Sequence, residues 1–130
     1  MSKLLLEEET FKLIGASINV HKKLGLGFIE SVYHEALKKE LLNANIPFEQ
    51  HKKLPIYYDG KMLNEFFIAD FVCYDTIILE IKAVPYIQDQ MKQQVVNYLK
   101  SSTIEVGMLI NFGEKILKWK RLVHTTPIEK

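Results

Sequence analysis

The chain has 130 residues, of which 48% are hydrophobic and 25% are charged, which is typical of a globular protein with one core. Its net charge of +1 excludes a global attraction to nucleic acid, so such a role must rest on local patches such as its lysine pairs. The single cysteine, Cys73, excludes an internal disulfide, and no apolar run is long enough to span a membrane. We therefore expect one domain over residues 1–130, located in the cytoplasm.

The first helix is predicted from about Leu6 to Leu24, where apolar positions recur at helical spacing. We expect one stripe to face the core, formed by Phe11, Ile14, Ile18 and His21. The inward His21 is then either a packed core histidine or an orienting group beside a functional site.

A second helix is predicted from about Ile29 to Asn43, after the bend at Gly25-Leu26-Gly27. Glu30 lies in its first turn, one turn before Tyr33, so these two side chains share a face. A glutamate at this position is either a partner for the helix dipole or part of a site.

The middle of the chain predicts three antiparallel strands in a meander. The first runs from Phe48 to Tyr58, and Asp59-Gly60 is the strongest short type of hairpin turn. The second runs from about Lys61 to Cys73, and the third from Ile77 to Ala83.

Two carboxylates are predicted to face each other across the second and third strands. If the turn centres on Asp75, Asp70 lies opposite Glu80, with Cβ atoms about 5 Å apart, and Lys82 points to the same face. Like charges placed opposite each other destabilise a sheet, so something must compensate them. A divalent cation would do so. The alternative is a surface ion pair between Lys82 and one of the carboxylates.

The last third of the chain predicts a helix and two strands. The helix runs from Gln88 to Ser101, with Gln94 and Tyr98 as neighbours on one face. Strands follow from Ile104 to Phe112 and from Ile116 to Val123, and the tail from Thr125 is expected to fray. The order ααβββαββ predicts an α/β protein in which helices flank one mixed sheet.

Several motifs in this order resemble the PD-(D/E)XK nuclease superfamily, which has Asp on the second strand and Glu-x-Lys on the third. Residues 20–37, VHKKLGLGFIESVYHEAL, contain Gly27, Glu30 and Tyr33 at the spacing of the GxxExxY family of small bacterial and archaeal proteins. Residues 94–100, QVVNYLK, resemble the Q-x-x-x-Y helix motif of RecB-like nucleases, and LINFG at 109–113 also resembles this family. Ala69 precedes Asp70 where the superfamily motif has proline.

This resemblance implies a restriction-endonuclease-like core and a metal-dependent nuclease that hydrolyses phosphodiester bonds in DNA or RNA. The implied ligands of Mg²⁺ or Mn²⁺ are Asp70, Glu80, the backbone carbonyl of Ile81 and, directly or through water, Glu30. Lys82 is implied to position the attacking water and to donate to a phosphate oxygen.

Four further residues are implied around that centre. Gln94 would act with Tyr98 to hold Lys82, the water or the substrate. His21 and Tyr33 would support the ligating residues without binding the metal or the substrate themselves. The alternative function is a non-catalytic module that binds nucleic acid or a protein partner on the same fold. A third alternative is a homodimer formed through the last strands or the exposed aromatic residues.

Overall fold

A computed structural model describes residues 5–125 of the chain, so the expected fraying of residues 126–130 lies outside the described part. Within that part, three helices and five strands follow the predicted order, with ends within two residues of those expected. Their bounds are Glu7–Leu24 (α1), Glu30–Asn43 (α2), Phe48–Tyr58 (β1), Lys61–Cys73 (β2), Ile77–Lys82 (β3), Asp89–Lys100 (α3), Val106–Asn111 (β4) and Lys118–Val123 (β5). None of the described helices is both long and apolar enough to span a bilayer.

The five strands form one mixed sheet in the order β1-β2-β3-β4-β5. The predicted meander is confirmed, because β1 pairs with β2 and β2 with β3 in antiparallel fashion. β3 and β4 are parallel and are joined by a crossover through α3, and β5 returns antiparallel to β4 at the sheet edge. This is the α/β architecture expected from the sequence.

The two predicted turns have the backbone conformations that their residues favour. Asp59 and Gly60 both have positive φ angles, of 51° and 75°, as the mirror-image turn of a tight hairpin requires. Tyr74 and Asp75 also have positive φ angles, of 56° and 58°, and the turn joins β2 to β3. These turns fix the register of the meander.

Helices cover both faces of the sheet. α1 and α2 pack on one face over side chains such as Phe71, Cys73 and Met108. α3 packs on the other face, where Leu99 contacts a second apolar cluster that includes Ile78. Because side chains alternate along a strand, β2 and β3 contribute to both clusters.

The stripe of α1 predicted to face the core is wrong for Phe11 and Ile18, whereas Ile14 does pack against the core. Phe11 and Ile18 have exposed fractions of 75% and 37%, and the buried side chains are Thr10, Leu13, Ala16, Ser17 and Val20. The hydroxyl groups of Thr10 and Ser17 can be buried because they donate to backbone carbonyls within the helix, to Glu7 O and Leu13 O.

A buried amide connects the segment after β3 to the loop before β5. Asn111 is fully buried, and its Nδ2 donates to Val84 O and Glu114 Oε2, each at 2.9 Å. Its Oδ1 accepts from the N–H groups of Val84 and Gly113, each at 3.0 Å. One side chain therefore holds together two loops at the same end of the sheet.

Candidate active site where two strands diverge

The β2–β3 ladder has the predicted register and ends just before the two carboxylates. Paired residue numbers sum to 150, as far as Phe71 and Leu79. At the next position, hydrogen bonds from backbone N–H groups to side-chain carboxylates replace the backbone hydrogen bonds of the ladder. The N–H of Asp70 donates to Glu80 Oε2, and the N–H of Ile81 donates to Asp70 Oδ2, each at 2.8 Å. Each carboxylate therefore accepts a backbone donor from the opposite strand.

Glu80 is the more deeply buried of the two carboxylates, with an exposed fraction of 7%. Burial, followed by the negative charge of Asp70, raises the pKa of Glu80 from 4.5 to about 7. The hydrogen bond from the N–H of Asp70 lowers this pKa but does not outweigh the other two causes. Glu80 therefore changes its charge near neutral pH, where an added cation would favour the ionised form.

Lys82 lies two residues beyond Glu80 at the end of β3 and is partly buried. Its charge lowers the pKa of Glu80 less than burial and Asp70 raise it. Among the ion pairs of residues 5–125, none joins Lys82 to either carboxylate. The surface ion pair considered as an alternative is thus not formed, and the ammonium group stays near the carboxylates without neutralising them.

His34 joins the acidic pair, although the sequence patterns do not single it out. Its Nε2 lies 3.5 Å from Asp70 Oδ2. The hydrogen bond with Asp70 raises the pKa of His34 above its usual 6.5, against the opposing effect of burial. The ring stacks on His51 and Phe71, with centroid distances of 5.8 and 5.5 Å. Within the described residues, its buried Nδ1 has no hydrogen-bond partner.

Glu30 and His34 both lie on the side of α2 that faces the site. They are four residues apart in the helix, so their side chains are neighbours. This spacing is the signal in the sequence that could have identified His34. A cavity of about 510 Å³ opens here and is lined by these two residues together with Asp70 and His51. The structure therefore brings Glu30 to the same cavity as Asp70, as the resemblance implies.

Gln94 and Tyr98 lie on α3, which packs on the face of the sheet opposite to α1 and α2. The Tyr98 ring stacks on Phe67 with centroids 3.8 Å apart. Burial raises the pKa of Tyr98, and the negative charges of Glu80 and Asp70 add to this effect. Tyr98 is therefore within electrostatic range of the carboxylates, whereas Gln94 is exposed.

His21 and Tyr33 make contacts away from the carboxylates. His21 Nε2 lies 2.7 Å from Glu114 O. The hydroxyl of Tyr33 donates to Gly25 O at 2.6 Å, and its fully buried ring stacks on Phe112 with centroids 4.8 Å apart. The Tyr33 contact holds the bend between α1 and α2, and the His21 contact joins α1 to the loop before β5.

The donors at this end of the sheet fit a hard divalent cation in their chemistry, since such ions prefer carboxylate and carbonyl oxygens. Asp70 Oδ1 and Glu80 Oε1 take no part in the two hydrogen bonds to backbone N–H groups. Within residues 5–125, however, no three His, Cys, Asp or Glu side chains are grouped closely enough to hold a metal ion. Metal binding would therefore require the facing carboxylates to turn toward a shared point.

Comparison with known proteins agrees with this arrangement. The family model for the PD-(D/E)XK nuclease superfamily matches residues 7–122, a range that contains both carboxylates, Lys82 and Glu30. No curated protein matches the chain. The crystal structure of SSO0001 is similar in fold, with a TM-score of 0.59 at 19% identity. The match covers 94% of this chain but 62% of that one, so the chain spans about three fifths of its length.

The superfamily model covers both faces of the sheet and every element that carries a residue of the acidic site. The chain belongs to the PD-(D/E)XK nuclease superfamily.

Proposed function

We propose that the chain is a metal-dependent nuclease that hydrolyses phosphodiester bonds in DNA or RNA. The observation that carries this proposal is the facing pair of Asp70 and Glu80, in which burial and then the charge of Asp70 raise the pKa of Glu80 to about 7. Two like charges in such a place are unfavourable unless a cation or a proton joins them. Nucleases of this superfamily generally use divalent metal ions.

Asp70, Glu80 and the backbone carbonyl of Ile81 would hold Mg²⁺ or Mn²⁺, with Glu30 as a direct or water-mediated ligand. When bound, the ion lowers the pKa of its water and offsets the charge that develops on the phosphate. In this proposal, His34 acts as a positioning residue, since its Nε2, 3.5 Å from Asp70 Oδ2, restricts the Asp70 carboxylate.

The remaining residues act on the substrate and the attacking water. The Lys82 ammonium donates to a phosphate oxygen and orients the water, as a compact charge that neither carboxylate neutralises. Tyr98 and Gln94, which are neighbours on one face of α3, hold the substrate backbone from the α3 side. His21 and Tyr33 support the site only indirectly, Tyr33 through the position of α2 and His21 through the packing of α1.

The experiment compares cleavage of single-stranded and double-stranded DNA and RNA by the wild type, Asp70→Asn and Lys82→Ala in Mg²⁺ or Mn²⁺. We expect cleavage by the wild type and a loss of at least about a hundredfold in each variant, because metal and ammonium together supply several kcal/mol of transition-state stabilisation.

Two exposed residues outside the site provide matched controls. Asp89→Asn removes a carboxylate whose side chain is 99% exposed, and Lys12→Ala removes an exposed lysine of α1. Both controls should cleave like the wild type. Equal activity in the wild type and both site variants, or no cleavage of any substrate, would contradict the proposal.

The alternative is a module that binds nucleic acid or a protein partner without cutting. One observation favours it, namely that no group of three ligating side chains is assembled within residues 5–125. Isothermal titration of Mn²⁺ separates the two functions. Absence of Mn²⁺ binding, together with intact affinity for an oligonucleotide, would support the non-catalytic module.

A further inference from the structure

A second cavity, of about 610 Å³, lies between α1 and β5. Its lining comes from α1, β5 and the loop before β5, with none from the strands that carry the acidic pair. Three large apolar side chains line it while remaining solvent-accessible, with exposed fractions of 37% for Ile18, 71% for Ile116 and 39% for Trp119. The cavity therefore offers an apolar surface with an aromatic ring to solvent.

The charged residues that line this cavity are of one sign. Lys22, Lys115 and Lys118 surround the apolar surface, and the lining contains no Asp or Glu. In residues 5–125, none of these three lysines takes part in an ion pair. Because the whole chain has a net charge of only +1, the cavity is a local concentration of positive charge and is complementary to an anionic ligand.

The cavity and the acidic site are separate, because no residue that lines the cavity also lines the acidic site. β3 and β5 are also separated by β4, so a ligand in the cavity does not occupy the acidic site.

We propose that this cavity binds unpaired nucleotides of a single-stranded nucleic acid, with a base stacked on Trp119 and phosphates at the three lysines. An aromatic ring beside several ammonium groups is the combination that holds single strands, whereas duplex bases are already stacked on one another. The flat indole favours a nucleobase over an acidic peptide, which has charge but need not have a planar face. The proposal shares its class of ligand with the proposed nuclease but does not require cleavage.

Trp119 is the single tryptophan of the chain, so its fluorescence reports on this cavity directly. The experiment titrates oligothymidylate and oligouridylate into the Asp70→Asn protein in EDTA, where cleavage cannot occur. We expect saturable quenching of Trp119 and an affinity that falls as salt is added, because bound phosphates release counterions. A duplex of the same length should quench weakly.

Variants then test the two halves of the proposed contact, with binding followed by anisotropy of a labelled oligonucleotide. Trp119→Leu should weaken binding by about fivefold or more, the lower end of the range for loss of base stacking. Lys22→Ser and Lys115→Ser should each reduce the slope of log affinity against log salt by roughly 0.7. Lys12→Ser and Leu42→Ser, which change exposed residues outside the cavity, should leave both quantities unchanged.

Three results would overturn the proposal. They are an unchanged Trp119 signal, equal affinity in the cavity variants and the controls, and quenching by polyglutamate or by the duplex as strong as that by the single strand. Polyglutamate quenching would assign the cavity to an acidic protein partner instead. Quenching without any nuclease activity in the wild type would overturn the nuclease alone, and cleavage without quenching would overturn the cavity alone.

Discussion

The acidic end of the sheet and the basic cavity arrange charge in opposite ways. Asp70 and Glu80 are partly or fully buried, face each other and accept backbone hydrogen bonds. The lysines of the cavity, such as Lys22 and Lys115, are exposed and stand around an apolar surface. Buried like charges shift pKa values and destabilise the fold, whereas exposed ammonium groups remain hydrated and cost little. The acidic end is therefore suited to chemistry at a fixed point, and the cavity to reversible binding.

Among substitutions that would alter this difference between the two regions, the one with the largest expected effect removes a charge of the acidic pair and acts on activity. Glu80→Gln keeps an oxygen that can accept the N–H of Asp70 and provides an amide that can donate to its carboxylate. If the proposed nuclease is correct, this variant should lose cleavage by at least about a hundredfold because one metal-binding charge is gone. Single-turnover cleavage in Mn²⁺ measures this. Binding of oligothymidylate at Trp119 should not change, and its loss would show that the two regions are not independent.

The second prediction concerns the pH dependence of stability. Since the pKa of Glu80 is about 7 in the folded chain against an ordinary 4.5, the folded state binds more protons than the unfolded state between these values. The contribution of Glu80 to stability is therefore complete below pH 4.5. It is lost as the pH rises toward 7 and above, which lowers the free energy of unfolding by roughly 3 kcal/mol. His34 contributes with the same sign, because its pKa is also raised.

Urea denaturation at pH 4.5 and pH 8 measures this loss. Glu80→Gln should remove most of it, and Glu8→Gln, at an exposed position of α1, should leave it intact. Mg²⁺ added to the wild type at pH 8 should restore stability, since a cation takes the place of the proton. A loss of equal size in the wild type and Glu80→Gln would mean that Glu80 does not titrate in this range.

The third prediction addresses the amide that joins the loops beside the two regions. Asn111→Ala leaves buried polar groups of Val84 and Gly113 without their partner, and each such group costs about 1–3 kcal/mol. We expect the free energy of unfolding to fall by at least about 2 kcal/mol in urea denaturation. Asn97→Ala, at an exposed position of α3, should change it by less than about 0.5 kcal/mol.

The smallest effect is expected at the cavity. Lys22 and Lys23 are adjacent in α1, but only Lys23 forms an ion pair, at 3.0 Å from Glu40 Oε2. Lys23→Ser should lower the free energy of unfolding by up to about 1 kcal/mol, while Lys22→Ser should change it by less than about 0.5 kcal/mol. A larger decrease in the free energy of unfolding for Lys22→Ser would indicate that this lysine stabilises the fold and is not free to bind a ligand.

The strands and turns could be predicted from the sequence because their signals are local. Asp59-Gly60 fixes one hairpin, and the turn around Asp75 fixes the register that brings Asp70 opposite Glu80. Both signals depend on a few adjacent residues whose backbone preferences agree with the fold. The PD-(D/E)XK resemblance, carried by motifs in chain order, is confirmed at the level of the superfamily.

The face of α1 and the role of His34 required tertiary information. α1 carries apolar side chains on two neighbouring stripes, and periodicity alone cannot choose between Ile18 and the buried Val20. His34 lies one turn from Glu30, but the spacing of the two residues does not show that Asp70 will meet them across the cavity. Such contacts between distant segments arise from packing and are not encoded in a short window of sequence.

Cys73 has a practical consequence for experiments on both regions. It is the chain's single cysteine, it is fully buried in the cluster under α1 and α2, and burial raises its pKa to about 12. Since the thiolate is the reactive form, this thiol should be nearly inert toward maleimides at neutral pH. A cysteine introduced at the exposed hairpin tip, for example Asp59→Cys, would then accept a dye selectively without removal of the native residue.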